Sequence, residues 1–184
     1  IFGPGMAAPK AVSLTGRARR LWILTAYLIL NRERGVSARE LIDLLWPDSE
    51  SSDPIATLQN NISRARNALE ELGLRDGKKL ICNRSGTYYW APDMETTLDC
   101  EQFCNAAKAC MDAAGDILDE GLAARAIGMY SDDFLPECAT DSWCVNIGAY
   151  YHATFLQLCR KMTAHLLDRQ CYAEVGQICR RVLG

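Results

Sequence analysis

Histidine is scarce in this chain: there are two in 184 residues, His152 and His165, and neither stands at zinc-motif spacing from a cysteine pair. The nine cysteines include no CxxC pair and are odd in number, so neither a zinc site nor a closed disulfide framework is expected. Buried free thiols in a reducing cytosol are the simpler reading, and the expected location is cytoplasmic. No glycine-rich loop precedes a Lys-Ser/Thr pair, which excludes a phosphate-cradling P-loop. Asp132 and Asp133 are adjacent rather than convergent, a poor arrangement for paired acid and base work. Enzymatic activity is therefore not expected, nor is a metal or a cofactor.

Long apolar runs are missing too. The longest, Leu21 to Leu30, is interrupted by Thr25 and has about half the length of a membrane-crossing helix, so no membrane partner is expected. The chain opens Ile1-Phe2-Gly3, with neither a methionine nor the basic start of a signal peptide. It stops at Arg180-Arg181-Val182-Leu183-Gly184, inside a helical pattern, so a fragment of a longer protein is expected.

What the chain does have is an uneven charge. Up to Pro92 there are 13 Lys and Arg against 9 Asp and Glu, a net of +4. From Asp93 onward there are 7 against 14, a net of −7, and the two halves sum to −3. Eight of the nine cysteines lie in the acidic half. Two domains are expected, residues 1–93 and 94–184. An acidic whole chain argues against nucleic acid, but phosphate attraction follows the local field, so the basic half remains eligible.

In the basic half, Leu21, Leu24, Leu28 and Ile29 share one stripe, which predicts a helix over 15–32 entered through Arg17, Arg19 and Arg20. Gly35 suits its left-handed cap. Ser37 and Glu40 form a capping box for a second helix, with Val36 and Leu41 as its hydrophobic staple, and Pro47 ends it. Asp53-Pro54 reads as N-cap and first turn of a third helix running to about Leu72. Its apolar stripe is Leu58, Ile62, Ala65 and Leu69, which leaves Thr57, Asn60, Asn61, Arg64 and Arg66 on the other faces. Lys79 to Cys82 and Thr87 to Trp90 read as strands around an Arg84-Ser85-Gly86 tip.

Three helices followed by a cationic hairpin describe a winged helix, with the third helix buried along its rear and entering the major groove with its front. The same Asn60, Asn61 and Arg64 also suit the solvated face of an ordinary core helix.

The run Val36-Ser37-x-x-Glu40-Leu41-Ile42-x-x-Leu45-Trp46-Pro47-Asp48, followed by Leu58-x-x-x-Ile62-Ser63-Arg64-x-Arg66-x-x-Leu69, resembles an OmpR/PhoB-type winged helix. The version it resembles is that of SARP-family bacterial transcriptional activators, and Phe2-Gly3 and Gly16-Arg17-x-x-Arg20-Leu21 fit that family's entry through a small N-terminal sheet. Two departures stand out. The wing ends Thr87-Tyr88-Tyr89-Trp90 where the family has Gly-Tyr-Arg, and Ala65 replaces the usual Leu between the paired arginines.

In the acidic half, Leu98 to Phe103 opens a helix with Asp99 as N-cap, a second helix covers about 117–130, a long one about 141–168, and another starts near Cys171. Short Ala-rich helices with aromatics at their contacts point to a tetratricopeptide-like stack. Tyr130 to Glu137 with Trp143, together with Asp99 and Phe103, resembles the bacterial transcriptional activator domain that follows the winged helix in SARP proteins, with Asp132 at a family Gly position.

The expected fold is therefore mainly α: a winged helix-turn-helix domain followed by a tetratricopeptide-like helical domain. The resemblance implies a DNA-binding transcriptional activator that reads bases through Thr57, Asn60, Asn61 and Arg64. Arg17, Arg19, Arg20, Lys78, Lys79, Arg84 and Thr87 are the expected phosphate and wing contacts. The resemblance also implies double-stranded promoter DNA and RNA polymerase as partners, and a homodimer on DNA. The competing expectation is a helical-repeat interaction scaffold whose winged helix no longer binds DNA.

Overall fold

The structure, a computed structural model, describes residues 16–47, 52–74, 76–91, 93–112, 118–131 and 133–183. The expected N-terminal sheet, the loop from Asp48 and the Asp132 position lie outside them. The fold is mainly helical, with seven α-helices and one three-stranded sheet among the described residues. Those up to Thr96 form one compact unit and those from Thr97 on form a second.

The first unit runs α1 (Gly16–Leu30), β1 (Val36–Ser37), α2 (Ala38–Leu45), α3 (Pro54–Glu71), a 3-10 turn (Gly77–Lys79), β2 (Ile81–Arg84) and β3 (Thr87–Trp90). Helix α1 stops at Leu30, and Gly35 closes the following turn at φ 68°, with its N–H donating to Asn31 O at 2.9 Å. Helix α2 is capped by Ser37, whose Oγ accepts from the Glu40 amide at 3.2 Å. Helix α3 starts on Asp53, whose Oδ1 accepts from the Ala56 amide at 2.9 Å, with Pro54 in its first turn.

The sheet holds one strand the sequence reading lacks. Val36, expected only as a staple for α2, lies in β1 and pairs antiparallel with Tyr88, while Ser37 pairs with Thr87. Strand β3 pairs on its other side with β2, from Ile81↔Trp90 to Arg84↔Thr87, so the order is β1-β3-β2. A two-residue strand carries too short an alternation to register as one. The hairpin also starts later than expected, because Gly77–Lys79 coil into the 3-10 turn and β2 begins at Ile81. Its loop is Ser85-Gly86, both left-handed at φ 51° and 82°, the backbone a tight two-residue hairpin needs.

Leu24 and Leu28 of α1, Val36 of β1, Leu41 of α2, Leu58 and Ile62 of α3 and Ile81 of β2 are fully buried together. Each such side chain stabilises the unit by about 1.5–3 kcal/mol relative to exposure. Along β3 burial alternates: Tyr88 and Trp90 face the core and Tyr89 faces out. Two of the three aromatics of β3, Tyr88 and Trp90, are thus core residues.

The second unit consists of α4 (Asp99–Asp112), α5 (Glu120–Met129), a 3-10 turn (Pro136–Cys138), α6 (Ser142–Asp168) and α7 (Tyr172–Leu183). Asp99 is the first residue of α4 rather than its cap, its Oδ1 accepting from the Cys100 amide at 2.7 Å. Helix α5 starts at Glu120, capped by Asp119, later than the expected start near Ile117. Phe103, Ala107, Ala123, Ala126, Phe155 and Leu158 are buried in its core. Tyr130 stacks on Phe155 with ring centroids 4.4 Å apart and tilts against Phe103 at 5.4 Å. Arg181 of α7 closes the end of α5, its Nη2 donating to Tyr130 O at 2.8 Å and to Gly128 O at 3.3 Å. All nine cysteines are free thiols. No described helix is long and apolar enough to cross a membrane.

Candidate nucleic-acid interface

Helix α3 decides what the first unit can offer a ligand. Its rear stripe, Leu58, Ile62, Ala65 and Leu69, is buried, and it packs against both α1 and α2. At about 100° per residue, the opposite face runs Asn60, Ser63, Arg64 and Asn67 before the acidic Glu71 ends it. All four are exposed.

Two of the expected base readers are not on that face. Asn61 is only 7% exposed, and its Nδ2 donates to Thr57 O at 2.9 Å. Thr57 is half-buried, and its Oγ1 donates to Asp53 O at 2.9 Å. The reason is angular: Asn61 stands about 60° from Leu58, close beside Ala65, so the buried sector includes it. Both side chains satisfy backbone carbonyls of the helix they belong to. The expectation that Asn61 is exposed is therefore corrected. Ser63 and Asn67 were missed, although the sequence held the signal: they follow Asn60 at spacings of three and seven, the same period that defined the rear stripe.

Arg66, the other arginine of α3, is committed to structure. Its Nε donates to Ile81 O at 3.0 Å and its Nη2 donates to the same carbonyl, fastening α3 to the first residue of β2. That leaves Arg64 as the exposed arginine of α3. The hairpin tip is fastened too, since Gly86 O accepts from the Ala38 amide at 2.9 Å at the start of α2. Beside the tip the exposed Arg84 guanidinium lies over the Tyr89 ring, 5.8 Å from its centroid.

The remaining expected contacts are less uniform. Arg20 is exposed and Arg19 half-buried in the opening turns of α1; the Arg17 side chain is outside those described. Cations there oppose the helix macrodipole, at a cost of about 0.3–1 kcal/mol each where exposed. The first turn of α1 holds no acidic residue. Lys78 pairs with Glu70 at 3.6 Å and Lys79 with Asp76 at 3.3 Å, both across exposed surface where such pairs contribute little. Thr87 is half-buried in the sheet, in register with Ser37 and Arg84.

A polar cluster joins α1 to α2. Tyr27 Oη donates to Glu40 Oε1 at 2.7 Å, while Arg34 donates from Nη1 to Oε2 at 3.1 Å and from Nη2 to Oε1 at 2.5 Å. Arg34 Nε also donates to Asn31 Oδ1 at 2.9 Å. The bonded guanidinium holds the Glu40 carboxyl below its usual range against the opposing effect of burial, with Tyr27 and the Ser37 amide helping. Burial and the same carboxylate push the Tyr27 hydroxyl up.

The second unit carries little chemistry. An open hollow of about 320 Å³ is lined by residues including Asp133, Phe134, Cys144, Val145, Gly148 and His152. His152 Nδ1 lies 3.2 Å from Tyr130 Oη. The Cys144 thiol is pushed up to about 11 by burial and so is protonated at neutral pH. His165 Nε2 bonds Glu120 Oε1 at 2.8 Å, joining α6 to α5. Among the described residues no group of three His, Cys, Asp or Glu is placed to hold a metal ion. Set beside models of known protein families and beside curated proteins, the chain matches none.

Proposed function

We propose that this chain is a sequence-specific, double-stranded-DNA-binding transcription regulator of the SARP type. The first unit acts as a winged helix, with α3 in the major groove and the β2–β3 hairpin on the flanking backbone. The second, acidic unit acts as a tetratricopeptide-like domain that contacts partner proteins, RNA polymerase or a second copy on DNA, and its surplus acid keeps DNA off itself. The single observation that carries the reading is the face of α3. Asn60, Ser63, Arg64 and Asn67 stand exposed together, a combination suited to base edges and phosphates, while the rear of the same helix is fully seated.

The test is fluorescence anisotropy of a labelled 30-base-pair duplex against the full chain at two salt concentrations. Binding should weaken with salt, and Arg20→Ala should reduce the slope of log K on log salt by about 0.9 if that side chain meets one phosphate. An affinity indifferent to salt would sink the proposal.

A further inference from the structure

The face of α3 has an order as well as a composition, and the order carries information about the DNA. Taking Asn60 as origin, Ser63 lies about 4.5 Å along the helix axis, Arg64 about 6 Å and Asn67 about 10.5 Å, at 1.5 Å per residue. Base pairs succeed one another about every 3.4 Å. A helix lying along the groove therefore brings Asn60 over a first pair, Ser63 near a second, Arg64 near a third and Asn67 over a fourth. The acidic residues Glu70 and Glu71 follow directly at the C-terminal end of the helix. They would repel phosphate, so the reading segment ends at Asn67. Arg66 is held by Ile81 O, and Asn61 and Thr57 by the helix's own backbone, so none of these competes for the bases.

We infer that this chain selects a four-pair core of the form A·T, any pair, G·C, A·T, in which Asn60 and Asn67 each read an adenine and Arg64 reads the guanine between them. The chemistry follows from the edges displayed in the major groove. An asparagine amide matches the N6 donor and N7 acceptor of adenine, and a guanidinium matches O6 and N7 of guanine. Ser63 tolerates any second pair, because its hydroxyl both donates and accepts. This specificity rests on the major-groove reading of α3 and adds to it the identity of the sites.

The experiment selects bound duplexes from a pool with ten randomised central pairs, using the full chain as wild type and as Asn60→Ala, Arg64→Ala and Asn67→Ala. Wild type should enrich the four-pair core. Arg64→Ala should lose the preference for guanine at the third pair alone, with binding to the core weakened about 5- to 150-fold. Asn60→Ala and Asn67→Ala should relax the first and the fourth pair respectively. Thermal unfolding of each variant beside wild type ensures that a relaxed pair reports reading rather than loss of fold. An enriched site that all three variants select unchanged would overturn the inference while leaving DNA binding intact. Absence of any enriched site, together with salt-independent binding, would overturn the DNA-binding reading itself.

Discussion

Gly35 sits where backbone geometry and packing make separate demands, and substituting it measures both. Its φ of 68° is a left-handed conformation that costs an L-residue about 1–2 kcal/mol. A Cβ added there would stand 2.4 Å from Tyr89 Cε1, 2.7 Å from Cδ1 and 2.8 Å from Cζ. The obstacle is a ring edge, and its backbone is held in β3 opposite Cys82 while Arg84 covers its face. Displacing it adds about 1–3 kcal/mol, the ordinary cost of overpacking. Gly35→Ala should therefore destabilise the first unit by about 2–5 kcal/mol, a large share of a domain's stability of about 5–15 kcal/mol. The assay is urea unfolding followed by tryptophan fluorescence in a Trp143→Phe background, which leaves Trp22, Trp46 and Trp90 reporting on the first unit alone. Tyr89→Ala completes a double-mutant cycle. Removing the ring relieves the clash and leaves the backbone strain, so the coupling should be about 1–3 kcal/mol in favour of the double variant. Gly35→Ala within about 0.5 kcal/mol of wild type, or a cycle with no coupling, would refute the reasoning.

Other consequences are simpler to check. Asn61→Ala should lower the urea midpoint by about 1 kcal/mol equivalent and leave base preference unchanged, whereas Asn60→Ala should do the reverse; paired unfolding and site selection tell them apart. Glu40 has a folded pKa below its ordinary 4.5, so its contribution is complete above that value and is lost as pH falls through the lowered one. The stability of wild type should thus fall below about pH 4.5 more steeply than that of Glu40→Gln, measured as urea midpoint against pH. Burial pushes Cys144 and Cys159 up to about 11, whereas Cys179 is exposed. Iodoacetamide at neutral pH should label Cys179 first in the folded chain and reach Cys144 and Cys159 only after unfolding, read by peptide mass spectrometry.

The helices were legible in the sequence because their signals are local. Ser37 and Asp53 cap within three residues of themselves, and the stripe Leu58, Ile62, Ala65, Leu69 repeats at the period that burial demands. The sheet was half legible: β2 and β3 are joined by a two-residue turn, whereas β1 exists only because β3 lies beside it, fifty residues away in the chain. No local pattern in Val36-Ser37 encodes that pairing.

The site was legible in the same graded way. Periodicity separates a buried face from an open one, but it cannot say which polar side chains are already taken. Arg64 and Arg66 are two residues apart and chemically alike, yet one is open to solvent and the other is bonded to Ile81 O across the unit. Glu40 reads as one half of a local capping box, yet its strongest partners are Arg34 and Tyr27 on the preceding elements. Asn61 looks like a base reader until the angle to Ala65 is drawn, after which its amide has a nearer carbonyl to satisfy. In each case the polar group takes a partner the packing offers, and for the buried Asn61 leaving it unpaired would cost about 1–3 kcal/mol. Between Asn60 and Asn67 the polar residues of α3 left open after those demands are met are Asn60, Ser63, Arg64 and Asn67, and the proposed recognition draws on them.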